Sequence, residues 1–483
     1  MTPLNRKLGR GTLYNMGSKL MYLACGYGIF VIIGRMLGPS DLGVFGIVFT
    51  ALNIVFIFLR NGVPQAASTF IGGDPHKARA ISQKAIKLNL FFGAFLFGIF
   101  FLGSDSIAAD ILKDKRLCSS LRLASLSIIP VALYNGFSGT LLGARYYRKE
   151  AIGATLTSIC RIIFSFFFIL IGCSINGVIV AYALAAVAGT GFLSLFCKFG
   201  KSTYQAPTKS MILFAIPLIM SGGIITLLLN IDSIFVKRIT GSDELVGFYF
   251  AAASASHALY HIFSAFGVTL LPSIAGSCEK GNTELTRKYA NQAIRYSMML
   301  AIPFVSMVCG SSEELMQLLY GSPFVASSKP FACLMLATLF LVLAYNANMC
   351  IAAVGKPWVC ILFYGLGTAM AASLLSFLVP KYGIIGGGIA MVLACFLCLL
   401  LSLFYVEYRI NRTIRWVSVF RILSSALPIY FMILYFPVHG LLLLPWYLFS
   451  FIIYGLLMWG LGEWTSEDAE VIKGILSQHK SGA

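Results

Sequence analysis

The chain has 483 residues, 58% hydrophobic and only 11% charged, where an ordinary soluble protein carries roughly a quarter charged residues. A water-soluble core of this length could not hide that much apolar surface, so lipid is the expected solvent. The net charge of +18 does not cluster on a polar domain, which argues against a nucleic-acid-binding module and leaves membrane topology to account for it.

The opening "MTPLNRKLGRG" and the apolar run behind it are similar to the first two regions of a signal peptide. No small-residue cleavage site precedes Arg35, so the segment is expected to remain as the first membrane helix. Runs of roughly 18 to 25 apolar residues can cross a bilayer as helices. They fall near 13–34, 42–70, 87–103, 121–143, 151–171, 175–197, 211–236, 245–272, 293–310, 331–354, 358–379, 383–406, 417–436 and 440–460. The chain therefore reads as an all-α polytopic membrane protein with about fourteen transmembrane helices. The second and eighth runs are too long for a perpendicular crossing and are expected to tilt or project. Pro217, Pro303 and the Gly222-Gly223 pair mark places where helices bend.

Between the first two runs stands "IGRMLGPSDLGVFGIVF", residues 33–49. Arg35 is expected to reach external headgroups, Gly38-Pro39 to end the first helix, and Ser40 or Asp41 to cap the second. An even number of spans places both termini on one side. With the N-terminus inside, about 23 basic residues fall on the inner side and about 8 on the outer, so both termini are expected in the cytoplasm of a cell inner (plasma) membrane protein. Outer segments are short, the longest running through "GSSEELMQLLYGSPFVASSKP". The tail "EWTSEDAEVIKGILSQHKSGA" reads as one short cytoplasmic helix with Ser466 as its N-cap.

The twelve cysteines are scattered singly through apolar segments, without the spacing of a disulfide framework. The one CxxC pair, Cys395 and Cys398, has no histidine or second pair beside it, so no metal site is expected. There is also no phosphate-binding Gly-rich loop with its lysine, no HExxH and no hydrolase elbow. The chain is read as no enzyme, without a cofactor, and H+ or Na+ is the candidate coupling ion.

A search for self-similarity finds a repeat. Arg35, Gly38, Asp41 and Gly43 have counterparts in Arg238, Gly241, Glu244 and Gly247 of "VKRITGSDELVGFYF". Pro64, Arg79, Ala85 and Ile86 match Pro272, Arg287, Ala293 and Ile294 at an offset of about 208. Tyr134-Asn135 corresponds to Tyr345-Asn346, and "INGVIVAYALA" to "IIGGGIAMVLA". Two parallel six-helix repeats follow, 1–205 and 206–408, with two added transmembrane helices over 409–462 and a cytoplasmic tail over 463–483. Parallel repeats about an axis along the membrane normal are a transporter architecture, with substrate between the halves.

These residues resemble the polysaccharide-export, lipid-linked oligosaccharide flippases, of O-antigen and teichoic-acid export type, within the multidrug/oligosaccharidyl-lipid/polysaccharide (MOP) transporter superfamily. The resemblance covers nearly the whole chain. It is carried by "GRMLGPSDLGVFGIV", "NIDSIFVKRITGSDELVGFYFAAAS", "LLPSIAG" and "LMQLLYGSPFVASSKPF", four segments in the right order. It implies a V-shaped MATE-like arrangement around a central cavity. It also implies flipping of a polyprenyl-diphosphate-linked oligosaccharide from the cytoplasmic to the external leaflet by alternating access, for cell-surface polysaccharide biosynthesis. Membrane lipids and polysaccharide polymerase or assembly proteins are the other implied partners; nucleic acid is not one.

Flipping breaks no bond but needs a polar groove for sugar and diphosphate, and guanidinium groups suit phosphate best. Charges inside spans are costly, so each is a site candidate. Arg60 lies well inside the second span, Arg161 near the middle of the fifth, and Lys19 in the cytoplasmic half of the first. Helices one, two, seven and eight are expected to face the cavity, which favours Lys19 and Arg60 and sets Arg161 behind it. Asn135, Asn346 and Asn348 are candidates for sugar hydroxyls or for joining helices. Asp232 resembles the family's helix-seven aspartate; it is a candidate coupling site, or a partner for Lys237 or Arg238. His257 and His261, one turn apart on one helix face, are candidates for proton uptake or for bonds between helices. The paired turns at Arg35, Gly38, Asp41 and at Arg238, Gly241, Gly247 are expected to help close an outer gate.

Three rivals remain. A cation-coupled multidrug exporter of the same superfamily would have an acidic, aromatic cavity, whereas the in-span charges here are mainly basic. A membrane glycosyl polymerase or ligase is opposed by the short outer loops and the duplication. A scaffold that transports nothing is the third.

Overall fold

The computed structural model describes residues 3–72, 74–197, 204, 206–410 and 415–464. The tail helix expected behind residue 464, with Ser466 as its cap, lies outside the described residues. The fold is all-helical: α1 (Pro3–Met36), α2 (Pro39–Asn61), α3 (Val63–Ile71), α4 (Pro75–Leu102), α5 (Leu117–Ser125), α6 (Ile128–Gly143), α7 (Tyr147–Leu170), α8 (Ser174–Ser194), α9 (Thr208–Leu228), α10 (Ile231–Thr240), α11 (Asp243–Glu279), α12 (Thr283–Gly310), α13 (Ser312–Tyr320), α14 (Ser328–Ala353), α15 (Pro357–Ile410), α16 (Trp416–Tyr435) and α17 (Leu443–Gly460).

Among the described residues, twelve helices are long and apolar enough to cross a bilayer. One of them, α15, contains both of the runs expected at 358–379 and 383–406; Gly383, at φ 58° and ψ −141°, bends it between them. The 37-residue α11 occupies the place of the eighth run.

Three local expectations are corrected. The run at 42–70 is not one tilted helix: it breaks at Gly62 (φ −92°, ψ −105°) into α2 and α3. Pro64 follows the break and has no N–H to offer the Arg60 carbonyl, so the helical ladder cannot continue there. Asn89 of α4 holds the broken end, its Nδ2 donating to the Leu59 carbonyl at 3.3 Å and to that of Ala132 on α6 at 2.7 Å. The run at 211–236 is likewise interrupted, and Asp232 falls in the first turn of α10, where the helix dipole favours an acid. Finally, neither Ser40 nor Asp41 caps α2. Gly38 is the N-cap at φ 91°, and Pro39 is the first helical residue, a position where proline's fixed φ fits and its missing N–H costs nothing.

The chain packs as two compact units. The first comprises Met1–Ala255 and Tyr364–Ala390, the second Ser256–Phe363 and Met391–Ala483. In the first, Val63, Ala66, Ala67 and Ile71 of α3 pack on Ala78, Ile81 and Ala85 of α4 and on Met211 and Ala215 of α9. Small residues here let helix backbones approach closely, as packing in lipid requires. In the second, Ala290, Ala293 and Ile294 of α12 meet Ala347, Cys350 and Ile351 of α14, with Phe363 and Val406 of α15.

Candidate functional site

In the first unit α7 packs directly along α1 and α8, and Arg161 meets both. Its guanidinium lies 4.8 Å from the ring centroid of Tyr22 on α1 and 5.0 Å from that of Tyr182 on α8. Arg161 is only 8% exposed, and its Nε and Nη2 have no hydrogen-bond partner among the described residues. The aromatic faces offset part of the cost of burying the cation, by about 2 kcal/mol each when desolvated. They cannot satisfy its N–H groups. Tyr22 also faces Arg60, which stands in the last turn of α2 just before the Gly62 break.

Lys19, one turn from Tyr22 on α1, is exposed, as is Arg60. Lys19 faces Glu150 of α7, a buried carboxylate that accepts a hydrogen bond from Ser138 Oγ of α6 at 2.8 Å. Among the described residues no carboxylate comes within ion-pair distance of Lys19, Arg60 or Arg161. Arg60 and Arg161 thus meet at Tyr22, with Lys19 one turn away on α1, and two Arg161 nitrogens are left able to take the oxygens of an anion.

A second assembly joins the two repeated turns. Gly43 of α2 and Gly247 of α11 lie backbone against backbone: a Cβ on Gly43 would stand 1.9 Å from the Asp243 carbonyl oxygen. Gly241 (φ 66°) ends α10 in the left-handed conformation that glycine adopts without strain. Arg35 and Arg238 are exposed. Asp41 lies in the first turn of α2, 3.4 Å from Ser174 Oγ. Beside the crossing, buried Lys237 donates from Nζ to Asp114 at 2.8 Å and to Asp243. Arg116 donates to the same two carboxylates at 2.8 and 3.1 Å. The Arg116 hydrogen bonds, joined by that of Lys237, hold the Asp114 carboxyl well below the usual carboxylate range. The Asp114 contact in turn raises Arg116 above an ordinary arginine.

Asp232 pairs with neither Lys237 nor Arg238. It is fully buried and accepts from Tyr249 Oη at 2.9 Å and from the Ser233 N–H at 2.7 Å, because Lys237 points to Asp114 and Asp243 instead.

In the second unit, Asn346 Nδ2 donates to Ser297 Oγ at 2.7 Å and Asn348 Oδ1 accepts from Ser402 Oγ at 3.1 Å. Both asparagines are fully buried and join helices; Asn346 Oδ1 and Asn348 Nδ2 are left without a partner among the described residues. His257 is half-buried and His261 exposed, next to one another on one face of α11, with the Tyr260 ring 5.6 Å from that of Tyr345. Asn135, in the first unit, is half-buried on α6.

Tyr22, Tyr182, Glu150, Asp114, Arg116 and Asp243 were not singled out in the sequence. One signal was readable: Glu150, Ser158, Arg161 and Ser165 fall on one face of α7, a polar stripe inside an apolar run.

The polytopic helical fold, with Arg60 and Arg161 gathered at Tyr22, is that of a membrane transporter. A family model described as "Polysaccharide biosynthesis protein" matches residues 8–277, and the chain belongs to that family. It is 25% identical over 373 residues to a putative O-antigen transporter of Shigella flexneri, covering 74% of this chain and 88% of that protein. It is 22% identical over 364 residues to the lipid II flippase MurJ of Bacillus subtilis, covering 66% and 67%. Its fold is similar to a solved lipid II flippase MurJ in an inward closed conformation (TM-score 0.72, 16% identity, 92% of this chain and 98% of that one). It is equally similar to an inward-facing multidrug-resistance MATE transporter (TM-score 0.72, 15% identity, 81% and 94%).

Proposed function

We propose that the protein is a flippase that moves a polyprenyl-diphosphate-linked oligosaccharide from the cytoplasmic to the external leaflet by alternating access, for cell-surface polysaccharide biosynthesis. The observation that carries this reading is Arg161: a buried guanidinium between two tyrosine rings, two of its nitrogens unpartnered, with Arg60 sharing Tyr22. Such a group in a membrane interior is costly unless it serves a ligand. A diphosphate supplies the acceptor oxygens it lacks. The glycan would occupy the polar surroundings while the polyprenyl chain stays in hydrocarbon. The similarity to an O-antigen transporter and to a lipid II flippase supports the same substrate class.

In this reading both termini lie in the cytoplasm of the plasma membrane, as the basic inner segments favour. The crossing of Gly43 and Gly247, with its ion cluster, closes the external end. Asp232 and the His257/His261 pair are the candidate sites for a coupling cation or proton. Surface polysaccharide in cells carrying Arg60→Gln or Arg161→Gln tests the proposal: both variants should be present in the membrane yet fail to restore the polymer. Normal polymer from the Arg161 variant would overturn it.

A further inference from the structure

Glu150 has no part in the proposed function, yet it faces Lys19, one of the cations proposed to line the substrate groove. It is 7% exposed, among the described residues its carboxylate accepts one hydrogen bond, from Ser138, and the charge facing it is Lys19. Eleven residues of α7 separate it from Arg161, about 16 Å at 1.5 Å per residue. Tyr134 of α6 lies within electrostatic reach of both. Among the described residues the proposed groove therefore counts three cations, Lys19, Arg60 and Arg161, against one carboxylate, Glu150, or two net positive charges.

In a medium of low dielectric the cost of a charged assembly rises steeply with its net charge. The ligand that fits a site of charge +2 best is a dianion. A diphosphate esterified at both ends, by a polyprenol and by a sugar, carries one ionised oxygen on each phosphorus and is that dianion. The same lipid without its glycan ends in a free phosphate, whose second ionisation has a pKa of about 6. Near neutral pH the uncapped lipid therefore approaches a charge of −3.

We propose that Glu150 is the specificity-determining residue of this groove: by holding its charge at +2 it selects the glycan-capped lipid diphosphate over the uncapped one. The inference rests on reading Lys19, Arg60 and Arg161 as the diphosphate site. Discrimination of this kind keeps the spent lipid, left when the glycan has been passed on outside the membrane, from competing for the site.

The test uses the purified full-length protein, at a pH of about 8 so that the terminal phosphate is ionised. The probes are polyprenyl diphosphate capped with one N-acetylhexosamine and the same lipid uncapped. Wild type should bind the capped lipid more tightly. Glu150→Gln keeps the side-chain volume and an oxygen for Ser138 but raises the groove to +3, and should shift the affinity ratio toward the uncapped lipid by about tenfold. Glu150→Asp, which keeps the charge, should hold the wild-type ratio. Lys19→Gln, at an exposed position, lowers the groove to +1. It should shift preference away from the capped diphosphate toward a sugar on a single lipid phosphate, which gives a second readout if the Glu150 variants fold poorly.

An unchanged ratio in Glu150→Gln, with Arg161→Gln still losing both lipids, would overturn the role of Glu150 and leave the diphosphate site standing. Undiminished binding of both lipids to Arg161→Gln would remove the site and this inference with it.

Discussion

Gly43 and Gly247, which match in the sequence patterns "GPSDLGVFG" and "GSDELVGFYF", lie against each other where α2 crosses α11. A Cβ on Gly43 would be 2.8 Å from the Gly247 nitrogen, and one on Gly247 1.8 Å from the Pro39 carbonyl oxygen. Only hydrogen fits at both positions. The two glycines that match in the sequence patterns of the two turns are thus the ones in contact.

Gly43→Ala should force this crossing apart. Overpacking of this kind costs about 1–3 kcal/mol, so the Tm in detergent should fall. A cysteine introduced at exposed Ser40 should also react faster with a membrane-impermeant thiol reagent. Equal Tm and equal labelling would mean that the crossing opens without resistance.

Lys237, 1% exposed, is held by Asp114 and Asp243. Removing one partner of a buried ion pair costs about 3–5 kcal/mol, and the partial exposure of the two aspartates sets Lys237→Met at the lower end. Adding Asp243→Asn, which removes one of the stranded charges, should recover part of the loss. A double variant as unstable as the sum of the single variants would contradict the pairing.

The same cluster gives a dependence on pH. Arg116, then Lys237, lowers the Asp114 carboxyl below its unfolded value. The stability it contributes is complete above the ordinary aspartate pKa of about 3.9. It is lost as pH falls from there toward the depressed folded value, where Asp114 takes up its proton. Tm measured from pH 7 down to about 3 should therefore drop less steeply for Asp114→Asn than for wild type, from a lower starting point. Parallel curves would show that Asp114 does not titrate with the fold.

Arg161 lies 4.8 and 5.0 Å from the centroids of two tyrosine rings, a place that suits a planar guanidinium better than an ammonium. Arg161→Lys keeps the charge but should still weaken binding of a lipid diphosphate by about tenfold or more, or 1.4 kcal/mol. Titration of the purified variant with the labelled lipid would measure this. Wild-type affinity would reduce the arginine to a point charge.

Much of this was visible in the sequence for physical reasons. Hydropathy marks membrane helices because lipid admits little else, and the repeated arginine, glycine, acid, glycine pattern marked both turns before their contact was known. Two kinds of feature escaped. A 29-residue apolar run looks continuous to hydropathy, although Gly62 and Pro64 already signalled the break that leaves Arg60 at a helix end. Partners brought together from afar were the other: Lys237 and Asp114 are 123 residues apart, and Tyr22 and Tyr182 look like any aromatic residue in an apolar segment until Arg161 is found between them.

The most direct measurement is flipping itself. Purified protein in liposomes is given a fluorescent polyprenyl-diphosphate oligosaccharide on one leaflet, and its arrival on the other is followed with a membrane-impermeant quencher. Wild type should move the lipid well above the rate of protein-free liposomes, and Arg60→Gln and Arg161→Gln should abolish that movement. Equal rates in wild type, in both variants and in empty liposomes would contradict the account.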